Sequence, residues 1–318
     1  MTEENKLKNL DLIVHKYQEY LEIKHIAQRT IANRLWCLDK FLWFLKESNV
    51  LTANELTPEV LKSYQKYRHY YENNRGKRDQ PITINTHLLA VKSFLRFLAQ
   101  DNYLPHDLSD YLEYVKEPKR LPGSVLTDAQ VKRILDLTDT TTKIGFRDRT
   151  ILEVLYSTGI RRNELINLKL DDVDYGGGYL RVNQGKGNKD RMVPLGKIAC
   201  HYVENWIKSV RRLFLNDRPG DYLFLTKTGG PMDGSTVRDI IIKYSAPLKL
   251  NYPVTCHTFR RSCATEMIKR NANLMHVKEI LGHEDLESTK VYCKLTITDL
   301  KKTHQRYHPR ERDKDGIL

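Results

Sequence analysis

Six side chains in the second half of this 318-residue chain could together move a phosphodiester. They are Arg161 in TGIRRNEL, Lys186 in GKGNKDR, His257 and Arg260 in HTFR, and His283 and Tyr292 in LGHEDLESTKVY. A phenol can attack phosphorus. Its ordinary pKa of about 10 makes it a poor nucleophile unless nearby cations stabilise the anion. Two guanidiniums can hold the non-bridging oxygens through bidentate, charge-assisted hydrogen bonds. Two imidazoles and an amine can carry protons. Each member alone has a bland reading. A surface Arg–Glu pair is worth little, an HxxR spacing is weak, and Tyr292 is one of 18 tyrosines. The ordered set on a basic chain is what points to phosphoryl transfer.

Local sequence says how these groups could be presented. Gly159 reads as a helix-ending residue, so Arg161 projects from a tight junction, with Glu164 in reach of its guanidinium. A helix starting near Thr255 or Cys256 would put His257 and Arg260 on one side of its first turns, at the positive end of the dipole. Gly282 should stop the helix before it and turn His283 towards the core, and Ser288 could cap a short helix carrying Tyr292. The loop GKGNKDR is not a nucleotide-binding loop: it lacks the GxxxxGK[ST] spacing and joins two strands.

These groups need a frame, and the rest of the chain supplies one that is mainly α with a small antiparallel β-sheet. Apolar stripes at Ile31, Leu35, Leu38, Leu42 and Leu45, and at Ile84, Leu88, Val91, Leu95 and Leu98, predict two amphipathic helices, with Thr30 and Thr83 as N-caps. Another helix is expected from about Leu10 to Ile23, and a fourth opens at Thr57-Pro58. Basic, proline-interrupted residues 116–124 read as a linker between a helical domain, 1–115, and a second domain, 125–318. Thr127 with Gln130 resembles a capping box at the start of the second domain. There, 174–178 is a turn, and 179–182 and 191–195 are strands of a hairpin whose tip carries Lys186. Helices are predicted over 200–215, 234–245, 258–270, 273–281, 288–293 and 298–305.

Apolar residues make up 40% of the chain and charged residues 29%, which allows a packed core. Lysine and arginine number 53 against 40 acidic residues, a net charge of +13, which points to a polyanionic partner such as nucleic acid. No long apolar segment supports a membrane partner, and the N-terminus lacks the apolar run of a secretory signal, so a cytoplasmic protein is expected. Five scattered cysteines without a CxxC pair fit reduced thiols rather than a zinc site. Lys92, Arg96 and Arg34 are candidates for phosphate contact.

The order TGIRRNEL, GKGNKDRMVPL, HTFRRSCAT, LGHEDLESTKVY resembles the tyrosine recombinase (phage integrase) family, most closely its Xer-type site-specific recombinases. The resemblance runs through about 125–308 and more loosely over the helical N-terminal region, which looks like the family's core-binding domain. It implies a two-domain C-shaped DNA clamp. It also implies a role for each group. Tyr292 would form a 3′-phosphotyrosyl link. Arg161 and Arg260 would clamp the phosphate. Lys186 would protonate the departing 5′ oxygen, His257 would assist proton transfer and His283 would hydrogen-bond the phosphate. No cofactor, neither metal nor ATP, is required. The implied partners are double-stranded DNA and three further protomers, or a paralogous recombinase, acting through a Holliday junction; the pattern leaves room for an activating protein. The segment after the nucleophile looks like a docking tail, with Leu295, Ile297 and Leu300 as anchors. Phe259 stands where leucine is usual, Arg261 where histidine is usual, and Cys293-Lys294 replaces the common Thr-His. None of these removes a reacting group, but they loosen the link to the Xer branch. A mobile-element integrase or transposase with the same chemistry, a type IB topoisomerase and a DNA-binding protein that no longer cuts stay open as alternatives.

Overall fold

The computed structural model describes residues 10–73, 76–118, 124–183, 190–215 and 220–282. The chain divides into two compact units, Met1–Lys119 and Arg120–Leu318. Helices dominate both, and the second also contains a small antiparallel sheet.

The first unit is built from α1 (Leu10–Ile23), α2 (Gln28–Glu47), α3 (Pro58–Tyr70) and α4 (Pro81–Gln100). Helix α1 buries Leu10, Ile13, Tyr17 and Leu21, a stripe stepping by three or four residues. Helix α2 buries Ile31, Leu38 and Leu45 with Cys37 and Phe41, while Leu35 and Leu42 pack partly buried at the edge. Thr57 caps α3, accepting from the Val60 N–H, with Pro58 in the first turn. Helix α4 carries the core: Leu88, Val91, Phe94, Leu95 and Leu98 are each fully enclosed. Tyr17, Phe94 and Phe97 meet there at centroid distances of 5.3 Å for both tyrosine–phenylalanine pairs.

Two expected caps are corrected. Helix α2 begins at Gln28 after Ala27, and α4 begins at Pro81 after Gln80, neither with a side-chain cap. Thr30 and Thr83 lie inside the first turns; proline in the first turn of α4 removes an N–H that would otherwise need a partner. Lys92 is also corrected: its ammonium is buried and donates to the Leu112 carbonyl at 2.9 Å. Arg34 donates to Ser93 Oγ at 3.2 Å and Arg96 to Ser109 Oγ at 3.3 Å, so both are engaged within the unit.

The second unit opens with α5 (Asp128–Asp136). Its capping box is the expected one: Thr127 Oγ1 accepts from the Gln130 N–H at 3.2 Å, and Gln130 Oε1 accepts from the Thr127 N–H at 2.9 Å. Helix α6 (Lys143–Thr158) runs through the core and buries Ile151, Leu152, Val154 and Leu155. Gly159 ends it in the left-handed conformation, and the short α7 (Arg162–Asn167) follows. The sheet has three strands in the order β1 (Val173–Asp174), β2 (Tyr179–Val182) and β3 (Arg191–Pro194), all antiparallel. Leu180 and Val182 on β2 and Val193 on β3 point into the core. The two predicted strands are present, with β1 as an unpredicted third; it is too short to leave a periodic signal.

The helix predicted over 200–215 is α8 (Lys197–Asn205), followed by a widened π turn at Trp206–Val210 and a 3-10 turn at Arg211–Phe214. Trp206 is buried there and donates Nε1–H to the Leu223 carbonyl at 2.8 Å. Helices α9 (Gly234–Ser245), α10 (Cys256–Lys269) and α11 (Leu274–Leu281) complete the described part. The helices predicted over 288–293 and 298–305, the hairpin tip with Lys186, and the docking anchors lie outside the described residues. Among the described residues no helix is long and apolar enough to cross a membrane.

Candidate active site

Arg161 sits at the N-cap of α7, where the chain leaves the left-handed turn at Gly159 (φ 60°). Its backbone N–H donates to Glu164 Oε2 at 2.7 Å and its Nη1 to Glu164 Oε1 at 2.8 Å, so Glu164 holds this arginine as its spacing suggested. Its Nη2 crosses to the Gly282 carbonyl at 2.7 Å. Two of its five N–H donors are thus engaged by described groups, and a quarter of the side chain, 25%, stays exposed.

Arg260 approaches from α10. Thr255 caps that helix, accepting from the Thr258 N–H at 3.2 Å, which fixes Arg260 near the helix start. The residue is 4% exposed. Its Nη1 donates to the Gly159 carbonyl at 2.6 Å and its Nη2 to the Leu281 carbonyl at 2.5 Å. The two guanidiniums therefore meet on consecutive carbonyls at the C-terminal end of α11. That end carries carbonyls without intrahelical partners and the negative pole of the helix, so cations are favoured there. Gly282 closes α11 in the left-handed conformation (φ 64°), as its position before His283 predicted.

His257, one turn before Arg260, is exposed while Arg260 is buried. Loss of surrounding water, and then the charges of Arg260, Arg261, Arg161 and Arg162, push its pKa below the ordinary imidazole value. The imidazole is accordingly neutral at pH 7 and able to accept a proton. The structure thus brings together Arg161, Glu164, Arg260 and His257. Lys186, His283 and Tyr292 lie outside the described residues.

One residue of this cluster escaped the sequence reading. Arg191, first residue of β3, donates Nη1 to Glu164 Oε1 at 3.0 Å and Nη2 to Glu164 Oε2 at 2.8 Å. Its Nε reaches the Ile280 carbonyl at 3.4 Å. In sequence it was one residue of a strand, and nothing local ties it to Glu164. Burial pushes the Glu164 carboxyl up, but hydrogen bonds from Arg191 and the Arg161 N–H, with the charge of Arg191, outweigh this and hold it at about 2. The cysteines nearby are quiet. Burial pushes the Cys256 thiol up to about 11 and the Cys263 thiol to about 12, so neither is a thiolate at pH 7. Among the described residues, no group of three or more His, Cys, Asp or Glu has the arrangement of a metal site.

The profile of the phage integrase family matches residues 124–298. Tyrosine recombinase XerD of Staphylococcus haemolyticus is 30% identical over 305 residues, covering 95% of this chain and 100% of that protein. The crystal structure of the XerH site-specific recombinase bound to its difH substrate, a pre-cleavage complex, superposes with a TM-score of 0.66 at 19% identity. It covers 91% of this chain and 82% of that one. A lambda integrase tetramer bound to a Holliday junction gives a TM-score of 0.66 at 17% identity, covering 88% of this chain and 77% of that one. Two clustered arginines on a mainly α scaffold, a whole-length relative and the family match agree: the chain belongs to the phage integrase family and is a tyrosine site-specific recombinase.

Proposed function

We propose that this chain exchanges DNA strands by transesterification at Tyr292. The phenol oxygen attacks the phosphorus of a DNA phosphodiester, forming a 3′-phosphotyrosyl bond as the bond to the 5′ oxygen breaks. Lys186 donates the proton that the 5′ oxygen needs to leave as a hydroxyl. Arg161 and Arg260 hold the non-bridging oxygens as charge builds in the pentavalent transition state. His283 hydrogen-bonds the phosphate, and His257, neutral at pH 7, assists the proton transfer by taking up the proton the phenol loses. A 5′ hydroxyl from a second strand then attacks the phosphotyrosine and restores a phosphodiester. One ester is exchanged for another, so no nucleotide hydrolysis is needed.

The observation that carries this reading is the meeting of Arg161 and Arg260 on the Gly282 and Leu281 carbonyls, one residue before His283 in the chain. Four arginines close enough to depress the His257 pKa make the surroundings suited to a phosphate. The first domain, 1–115, would grip double-stranded DNA, and residues 125–318 would carry the chemistry, with 116–124 joining them. Four protomers, or this chain with a paralogous recombinase, would act on two duplexes through a Holliday junction in the cytoplasm, each tail docking on a neighbour through Leu295, Ile297 and Leu300.

The test is a nicked suicide substrate drawn from the DNA flanking its gene, incubated with chelator present. The expected result is an SDS-resistant adduct mapping to Tyr292 and lost in Tyr292→Phe, with DNA binding retained. An adduct that survives Tyr292→Phe overturns the assignment of the nucleophile.

A further inference from the structure

We propose that Arg191 is a positioning residue whose task is to offset the charge of Glu164, so that Arg161 presents a net positive charge to the phosphate. The inference rests on the function proposed above and deepens it.

Glu164 is saturated. Oε1 accepts from Arg161 Nη1 at 2.8 Å and Arg191 Nη1 at 3.0 Å, and Oε2 accepts from the Arg161 backbone N–H at 2.7 Å and Arg191 Nη2 at 2.8 Å. The carboxylate is 6% exposed, and Arg191 is 15% exposed. With Arg161 alone, a buried carboxylate would form a neutral pair, and a neutral pair offers a phosphate far less than a free guanidinium. Arg191 makes the group a triad of net charge +1. Glu164 can then orient Arg161 without cancelling it.

Arg191 is also held away from solvent on its other side. A Cβ added at Gly282 would come within 2.8 Å of the Arg191 guanidinium, so the turn at Gly282 lies directly against it. Its Nε points to the Ile280 carbonyl. The carbonyls of Ile280, Leu281 and Gly282 thus receive Arg191, Arg260 and Arg161 in turn. Arg191 supports the pair from beneath, and its side chain is spent on Glu164 and the end of α11.

The experiment measures the single-turnover rate of adduct formation on the suicide substrate for the full chain and three variants: Arg191→Met, Glu164→Gln and the two combined. Arg191→Met should slow the adduct on the order of 10- to 100-fold, the range that removing a supporting partner of a site group costs. Once Glu164 is made neutral, Arg191 should be dispensable, so the double variant should run within about threefold of Glu164→Gln alone, the scatter of independent substitutions. Rates are taken per folded molecule, so a residue that only held the fold together would leave Arg191→Met at the wild-type rate. The comparison of double with single variant stands even where Arg191→Met fails to fold, since the double leaves no buried carboxylate short of a partner. Arg191→Met at the wild-type rate, or a double variant about tenfold or more slower than Glu164→Gln, overturns the inference. A wild-type chain that forms no adduct overturns the proposed function and this inference with it. A wild-type adduct with either of the former results overturns this inference alone.

Discussion

Arg161 and Arg260 donate to consecutive carbonyls, those of Gly282 at 2.7 Å and Leu281 at 2.5 Å. They arrive from elements far apart in sequence, the junction after α6 and the start of α10. What gathers them is the end of a third helix, where carbonyls lack N–H partners and the dipole is negative. The arrangement links the turn at Gly159 to the turn at Gly282, because Arg260 holds the Gly159 carbonyl as well.

Arg260→Lys tests this bridging. A guanidinium reaches the Gly159 and Leu281 carbonyls with separate nitrogens, whereas a single ammonium on a flexible stem of shorter reach loses the fixed fork. Adduct formation should fall ~10²–10³-fold, as when one donor to a transition-state oxyanion is removed. Stability should fall by about 1–3 kcal/mol, the cost of a buried carbonyl left without its donor. Single-turnover kinetics and denaturant unfolding measure the two separately.

Gly159→Ala and Gly76→Ala should differ in cost. Both glycines have positive φ, 60° and 65°, so alanine is strained at either. A Cβ at Gly159 would also lie 2.7 Å from Leu281 Cδ2, while a Cβ at Gly76 meets nothing within 4 Å. Gly76→Ala should cost about 1 kcal/mol and Gly159→Ala roughly 2–4 kcal/mol, strain plus crowding in a packed site. Equal shifts in the unfolding midpoint would contradict the tight contact at Gly159.

Acid should weaken the chain in two separate windows. Burial, aided by the charge of Arg68, pushes His87 down to about 4 from an ordinary 6.5. The unfolded chain then binds the proton more readily. Stability is full above pH 6.5 and falls by roughly 3 kcal/mol as pH drops to about 4. Glu164, held at about 2, adds stability that is present above its ordinary 4.5 and is lost as pH falls towards 2. Urea unfolding of His87→Leu between pH 7 and 4 should lack most of the wild-type decline. Trp36, whose ring lies 5.2 Å from that of His87, is the natural fluorescence reporter.

Lys92→Met should affect the fold and leave the affinity for DNA untouched. The ammonium donates to the Leu112 carbonyl inside the first unit. Its loss should cost about 1–3 kcal/mol of stability. The slope of log affinity against log salt should stay within roughly one phosphate contact of wild type. A clearly shallower slope would show that Lys92 reaches the DNA backbone.

Sequence alone determined the features that repeat or sit close together along the chain. Apolar stripes marked α2 and α4; Thr127 marked a cap and Thr57-Pro58 a helix start; Gly159 and Gly282 marked helix ends; and the spacing in RRNE marked the Arg161–Glu164 pair. These depend on interactions between near neighbours, which a linear pattern records. The caps assigned to Thr30 and Thr83 failed because a threonine near a helix start looks the same one turn in as at the cap itself. The caps at Ala27 and Gln80 carry no side-chain signal. Tertiary structure alone decided which charges face one another. Arg191 and Glu164 stand 27 positions apart, and Arg260 and Gly159 stand 101 apart. Lys92 reads as a basic surface residue until the Leu112 carbonyl closes over it. Ion pairs and buried carbonyls are chosen by what the folded core leaves unsatisfied, and that is known only once distant segments have packed.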